Sequence, residues 1–292
     1  MQGEGGAVRR YSTTFSAGVE RGGAGRAEPA GGRARRRGAP GVLRRTGPAA
    51  PALAAVLLLV GCEALEEGGS PAARDGGAQV DGRVVSPLDN PKGVEPGLAP
   101  LAGETDRTAG RELIATVRTK GRGPRTGYDR DEFGYAWKDT ADGVPFARNG
   151  CDTRNDLLQR DGQELRFKSG SDCVVVAMTL ADPYTGKTIE WRKAKAAEVQ
   201  IDHVVPLSYS WQMGSSRWSV AKREQLANDP LNLIPVDGGT NSSKSDSGPA
   251  AWLPPSKRIR CAYAVRFAQV AAKYEMPVTT ADKEMMLRQC GG

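Results

Sequence analysis

The sequence predicts an α+β domain, small and mixed, with peripheral helices around one strand–excursion–strand–helix unit. Three observations carry this. Residues 173–180 and 199–205 are short, β-branched runs bounded by turn residues, the pattern of strands. Ala262, Val265, Ala268 and Ala272 recur at helical spacing. The chain before residue 109 is rich in Gly, Pro and Ala with no sustained period, so the folded domain is placed at residues 109–292.

Each element follows in order. Leu113 and Val117 open a short helix near Arg111, where structure is expected to begin. Tyr128, Phe133 and Trp137 fall in a Gly- and Asp-containing stretch, read as irregular structure packed by aromatics. Asp152-Thr153-Arg154-Asn155-Asp156-Leu157-Leu158 reads as a helix start capped by Asp152 or Thr153. Residues 165–167 and 173–180 read as strands, and Asp182-Pro183-Tyr184-Thr185-Gly186 as a turn between strands. Gly186-Lys187-Thr188 lacks the upstream glycine of a phosphate loop and is set aside. Residues 199–205 form a strand ended by Pro206, then 207–213 and 220–227 are helical around a Gly214-Ser215-Ser216 break. Residues 231–236 give a second short strand, Gly238-Gly239 turns the chain, and 241–247 start a short helix. A last helix over 281–290 closes the domain.

The segment before the domain reads differently. Residues 1–50 are Gly, Ala, Pro and Arg, too poor in large apolar groups to offset their conformational entropy. Residues 51–61 are an apolar run too short for a membrane span, which needs about 20 residues. The run has the length of a signal-peptide core and follows Arg44 and Arg45. Leu59-Val60-Gly61-Cys62 resembles the bacterial lipobox, which implies lipidation at Cys62; the alternative is an ordinary secretory signal cut nearby. The leader before Arg44 is longer than either signal needs, which suggests a translation start near Val42. Residues 1–62 are therefore an unfolded extension plus lipoprotein signal, and 63–108 a flexible Gly/Pro/acidic tether. The expected location is extracytoplasmic, on the cell membrane or secreted, and the expected state is a monomer.

Charge partitioning removes an easy misreading. The chain has 41 basic and 34 acidic residues, a net +7, yet residues 1–62 alone hold ten Arg against three Glu. The remainder is neutral, −5 over 63–110 and +5 over 111–292. The high isoelectric point is thus no argument for nucleic-acid binding, although the +5 is compatible with an anionic substrate. Beyond Cys62 four cysteines remain, Cys151, Cys173, Cys261 and Cys290, with no Cys-x-x-Cys pair to suggest zinc or a redox site. An even number in an oxidising compartment reads as two disulfides. Three pairings are possible. The sequence-local one, Cys151 with Cys173 and Cys261 with Cys290, is preferred, each contributing about 3 kcal/mol in the chain-entropy model.

The chain has one histidine, His203, directly after Asp202 at the end of an expected strand. Any proton acceptor working near neutral pH has this one imidazole as its candidate. Adjacent strand residues point to opposite faces, so Asp202 and His203 share a site only if the strand end twists or turns, which Pro206 permits. Asn232 follows on the second strand, with Asn241 and Lys244 on the helix after it.

Asp202-His203-Val204-Val205-Pro206, then Asn232-Leu233, then Asn241-Ser242-Ser243-Lys244-Ser245-Asp246 resembles the His–Asn–Asn variant of the HNH endonucleases, which carry the ββα-metal, or His-Me, finger. Trp211, Ala227-Asn228-Asp229, the Pro249–255 run around Trp252, and Cys261-Ala262-Tyr263 are similar to the GmrSD-type C-terminal domain of exported actinobacterial proteins. The resemblance runs from about Tyr128 to Cys290. It implies a ββα-metal core and His203 as general base, with Asn232 holding the loop. It also implies Asp202 and Asn241 as ligands of a divalent cation: Mg²⁺ first, Mn²⁺ or Ca²⁺ otherwise, since their donors are hard oxygens. Lys244 and Arg154 become candidate phosphate contacts, as does Arg148, while Lys222, Arg223, Lys257, Arg258 and Arg260 are available for a basic channel. Trp211 and Trp252 read as core. The implied function is a metal-dependent, largely non-specific endonuclease, on DNA before RNA. The alternative is a non-catalytic surface lipoprotein that binds nucleic acid or cell-wall polymer.

Overall fold

The computed structural model describes residues 83–291, so Cys62 and the leader lie outside the described residues. The protein is a mixed α+β structure with two small antiparallel sheets and seven α-helices among the described residues. No helix among them is long and apolar enough to cross a membrane.

The first described segment corrects an expectation. Residues 83–108 were assigned to a tether, yet Leu98 and Leu101 are buried in the main core. Val85 N donates to Pro96 O and Ala99 N to Val85 O, each at 3.0 Å. Few apolar residues suffice because this segment borrows its core from distant chain. Gly93 (φ 68°) brings it so close to Leu231 that a side chain would overlap the Leu231 backbone. Helix α1 (Glu104–Thr116) then begins seven residues before Arg111. Gly110 lets α1 lie against Val265, whose Cγ2 would stand 2.7 Å from an added Cβ.

Helix α2 (Thr153–Asp161) starts where the sequence places it, with Asp152 Oδ1 accepting from Asn155 N at 2.8 Å. Strands β1 (Gln163–Phe167), β2 (Val175–Ala181) and β3 (Thr188–Arg192) form an antiparallel sheet in that order. Leu157 and Leu158 of α2 share a buried cluster with Val175, Met178, Leu180 and Trp191 of this sheet.

The second sheet holds two strands, β4 (Val199–His203) and β5 (Leu233–Asp237), antiparallel with His203 opposite Leu233. Their connection carries α3 (Leu207–Met213) and α4 (Val220–Asn228). Strand β4 ends at His203 because Val205 N leaves the ladder and donates to Asn232 Oδ1. Helix α5 (Gly238–Lys244) follows β5 without a break. It begins three residues before Asn241 because Asp237 caps it, accepting from Thr240 N at 2.7 Å. Gly238 is required there, since any side chain would run into the Ala197 carbonyl.

Helices α6 (Arg260–Lys273) and α7 (Thr280–Gln289) complete the fold. Ten residues of α6 are buried, among them Ala262, Val265 and Ala268 of the helical stripe. Disulfides join Cys151 to Cys173 and Cys261 to Cys290.

Candidate active site

The strand–strand–helix unit β4–β5–α5 forms one wall of a cleft of about 430 Å³, with His203, Asp202 and Asn241 among its lining residues. The opposite wall comes from the irregular segment between α1 and α2 and from α2 itself. It brings Arg125, Arg130, Trp137 and Arg154.

His203 is nearly buried, 8 % exposed, with its ring stacked on Trp137 at 6.1 Å between centroids and 18° between planes. Its Nε2 lies 3.0 Å from Ala227 O. A carbonyl only accepts, so Nε2 carries the hydrogen in the neutral ring and Nδ1 is left as the acceptor. Burial pushes the imidazole down to about 3, and the nearby Arg130 and Lys244 charges push the same way against the Ala227 carbonyl. The ring is therefore neutral across the whole mildly acidic and neutral range, and with so low a pKa it is a weak base in the free protein.

Asp202 is held from within. Lys244 Nζ donates to Asp202 Oδ1 at 2.8 Å and to His203 O at 2.7 Å, and Tyr184 Oη donates to Asp202 Oδ2 at 2.6 Å. Lys244 is completely buried, which corrects the expectation that it touches substrate: its ammonium ties α5 to the end of β4. Burial raises the carboxyl of Asp202 and lowers the amine of Lys244, each opposed by the partner's charge.

Asn232 is fully buried. Its Oδ1 accepts from Val205 N at 2.8 Å and its Nδ2 donates to Leu226 O at 3.1 Å and Val205 O at 3.3 Å. It thus fixes the chain just after His203. Asn241 Nδ2 donates to Gln200 Oε1 at 2.9 Å.

A family model described as GmrSD restriction endonucleases, C-terminal domain, matches residues 152–289. An uncharacterized secreted protein of Arthroderma benhamiae is 36% identical over 185 residues, covering 62% of this chain and 84% of that protein. The chain belongs to the GmrSD C-terminal-domain family. No solved structure matches it.

The cationic wall of this GmrSD-type domain differs from the basic channel expected. Arg154 does line the cleft, with Nη2 donating to Val199 O at 3.2 Å, and burial lowers its pKa. Arg148 instead pairs with Asp142 at 2.8 Å in solvent. Arg223 turns into the fold to Glu132 at 2.9 Å, Lys222 sits over the Trp218 ring, and Arg258 lines a separate recess. Their place is taken by Arg125 and Arg130, which the sequence reading missed. Both lie in an irregular stretch with no period to orient a side chain. The cluster Arg122, Arg125 and Arg130 interleaved with Tyr128 was the one available signal. Trp211 is core, 8 % exposed, as read. Trp252, also read as core, is partly buried against the same cluster, and its ring meets Tyr184 and Tyr263.

Among the described residues no group of three or more His, Cys, Asp or Glu could hold a metal ion. The donor set at the cleft is smaller, one carboxylate and one amide oxygen. Each Asp202 oxygen accepts one hydrogen bond and keeps a second lone pair. Such a pair fits a hard cation that keeps several waters and takes the rest of its shell from a phosphate. The Lys244 ammonium opposes it, so the fit is to a weakly bound ion that substrate completes.

Proposed function

We propose that this protein is an extracytoplasmic, metal-dependent and largely non-specific endonuclease that hydrolyses phosphodiester bonds in DNA or RNA. The observation that carries this is the neutral imidazole of His203, locked with Nδ1 as acceptor, in a cleft shared with three guanidinium groups. The β4–β5–α5 unit is read as the ββα core of a His-Me finger, with His203 at the end of its first strand.

In the reaction, Arg125, Arg130 and Arg154 draw the phosphate into the cleft and offset its charge. His203 Nδ1 accepts a proton from a water molecule as the water oxygen bonds to phosphorus. The bond from phosphorus to the 3′-oxygen breaks, that oxygen takes a proton from solvent, and His203 releases its own proton to solvent. The bound phosphate brings negative charge beside the ring and raises its low pKa towards a useful value. Asn232 and the Ala227 carbonyl keep the ring from turning during transfer. Asp202 and Asn241 would hold the divalent cation, which supplies charge stabilisation to the phosphate and the leaving oxygen.

The relative of 36% identity carries the word secreted in its name, and the protein's two disulfides suit an oxidising compartment. Both support export, with Cys62 as the lipidated residue in the fuller form of the reading. The deciding experiment incubates purified protein with plasmid DNA and with RNA, each with Mg²⁺ and with EDTA. Cleavage that EDTA abolishes is expected. Binding without cleavage of either polymer would replace this reading with a non-catalytic surface binder of nucleic acid.

A further inference from the structure

We propose that Tyr135, backed by Trp137, is a stacking platform for an unpaired base next to the scissile phosphate, so that the substrate is single-stranded nucleic acid. The inference rests on the nuclease reading above and names the substrate class for the same cleft.

Tyr135 is 84 % exposed, the most exposed large apolar side chain among the described residues. A single exposed aromatic ring is ordinary on a protein surface; what marks Tyr135 is its place in a recess contiguous with the cationic cleft. By contrast, Phe133 is buried, meets Tyr128 edge-on and Trp211 at a tilt, and anchors the segment from below. Gly134, with φ 77°, then turns the chain against Glu224 so that Tyr135 is directed outward.

Trp137 supplies the second observation. Its backbone is left-handed, φ 59°, an uncommon conformation for a bulky residue that persists only where the surroundings impose it. Here they do: Trp137 O accepts from Thr153 N at 3.3 Å, and the next residue, Lys138, donates through N to Asn228 Oδ1 at 2.9 Å and through Nζ to Glu224. The imposed turn lays the indole flat along His203 and leaves it partly buried, with no hydrogen bond from its N–H among the described residues.

Tyr135 and Trp137 line a small recess of about 60 Å³ that shares Arg130, Trp137 and His203 with the main cleft. The recess is too small to enclose a base, so a base lies over its rim, on the tyrosine, with its phosphate reaching the guanidinium groups. An aromatic face beside cations is the arrangement that grips single strands, and it tolerates any base because every base has a π-face. A duplex keeps its bases stacked on each other and cannot offer one to Tyr135.

The test uses the purified protein in EDTA, so that bound strands stay intact, and fluorescence anisotropy of a labelled thymidine oligomer and of a labelled blunt-ended duplex of two complementary strands. The single strand is expected to bind more tightly than the duplex. Tyr135→Ala should weaken single-strand binding about 5- to 150-fold, the range for losing one stacked base, and leave duplex binding unchanged. Tyr135→Phe should restore it, and an oligomer with abasic positions should bind the parent as weakly as the intact oligomer binds Tyr135→Ala. Equal binding of both polymers with no effect of Tyr135→Ala overturns this inference and leaves the nuclease reading standing. Binding of neither polymer overturns this inference as well, while the nuclease reading is decided separately by cleavage with Mg²⁺.

Discussion

Removing the Lys244 ammonium should unfold the protein more readily than any surface substitution, and the size of the loss can be worked from its surroundings. Lys244 is 0 % exposed, and its partner Asp202 has a side chain only 5 % exposed. The ammonium makes two charge-assisted or polar contacts, to Asp202 Oδ1 and His203 O, and replaces water for both. Lys244→Met keeps the length of the side chain but strands a carboxylate inside the fold with only Tyr184 to bond it. Losing one partner of a buried pair costs about 3–5 kcal/mol. Adding Asp202→Asn to that variant removes the stranded charge, so the double variant should be more stable than Lys244→Met alone. Urea unfolding followed by tryptophan fluorescence, with the disulfides intact, measures both changes, provided the slope against urea stays constant. A loss below about 1 kcal/mol, the range for exposed pairs, would refute the inward placement. It would return Lys244 to the cleft as a phosphate contact.

Further outcomes follow from the same geometry. His203→Ala should lower cleavage at least about a hundredfold while the circular dichroism spectrum stays native, as expected for loss of a general base; near-normal turnover would remove the base from this site. Asn241→Ala should weaken Mg²⁺ or Mn²⁺ binding in calorimetry, and unchanged affinity would place the cation elsewhere. The imidazole pKa is lowered in the fold to about 3 from 6.5, so the unfolded chain takes up the proton first as pH falls. Stability from this group is complete above pH 6.5 and is lost progressively down to about pH 3, amounting to about 3 kcal/mol at pH 4. His203→Gln should lack that part of the acid sensitivity, and identical acid profiles for the two proteins would show the ring to be solvated. Replacing Cys261 and Cys290 together by Ser should cost about 3 kcal/mol, a loss readable in the same unfolding assay.

Local pattern carried the regular elements and the long loops defeated it. The β-branched runs before Pro206 and after Asn232 place β4 and β5 to within two residues; the remainder is set by Val205 turning to the Asn232 side chain and by Asp237, still paired with Val199, capping α5. His203 was legible as a singular residue, and Asn232 and Asn241 through the resemblance to the HNH endonucleases. The wall facing it was not. Arg125 and Arg130 act from a segment without period, and what turns them to the cleft is Phe133 docking on Trp211, almost 80 residues away. Lys244 read as a phosphate contact, since a lysine is almost never fully buried unless paired. Its burial depends on Asp202 and Tyr184 arriving from two other elements. The packing of residues 83–108 escaped notice for a related reason: Leu98 and Leu101 are sparse in sequence but dense in space.

The bridge between Cys151 and Cys173 lies one residue before the cap of α2, and Arg154 is in the first turn of that helix. Before the bridge forms, the start of α2 has the Asp152 cap, and Arg154 a single bond to Val199, to hold the guanidinium in the cleft. In the nuclease proposed above, the reduced chain would therefore hold the Arg154 guanidinium less firmly in the cleft than the oxidised one.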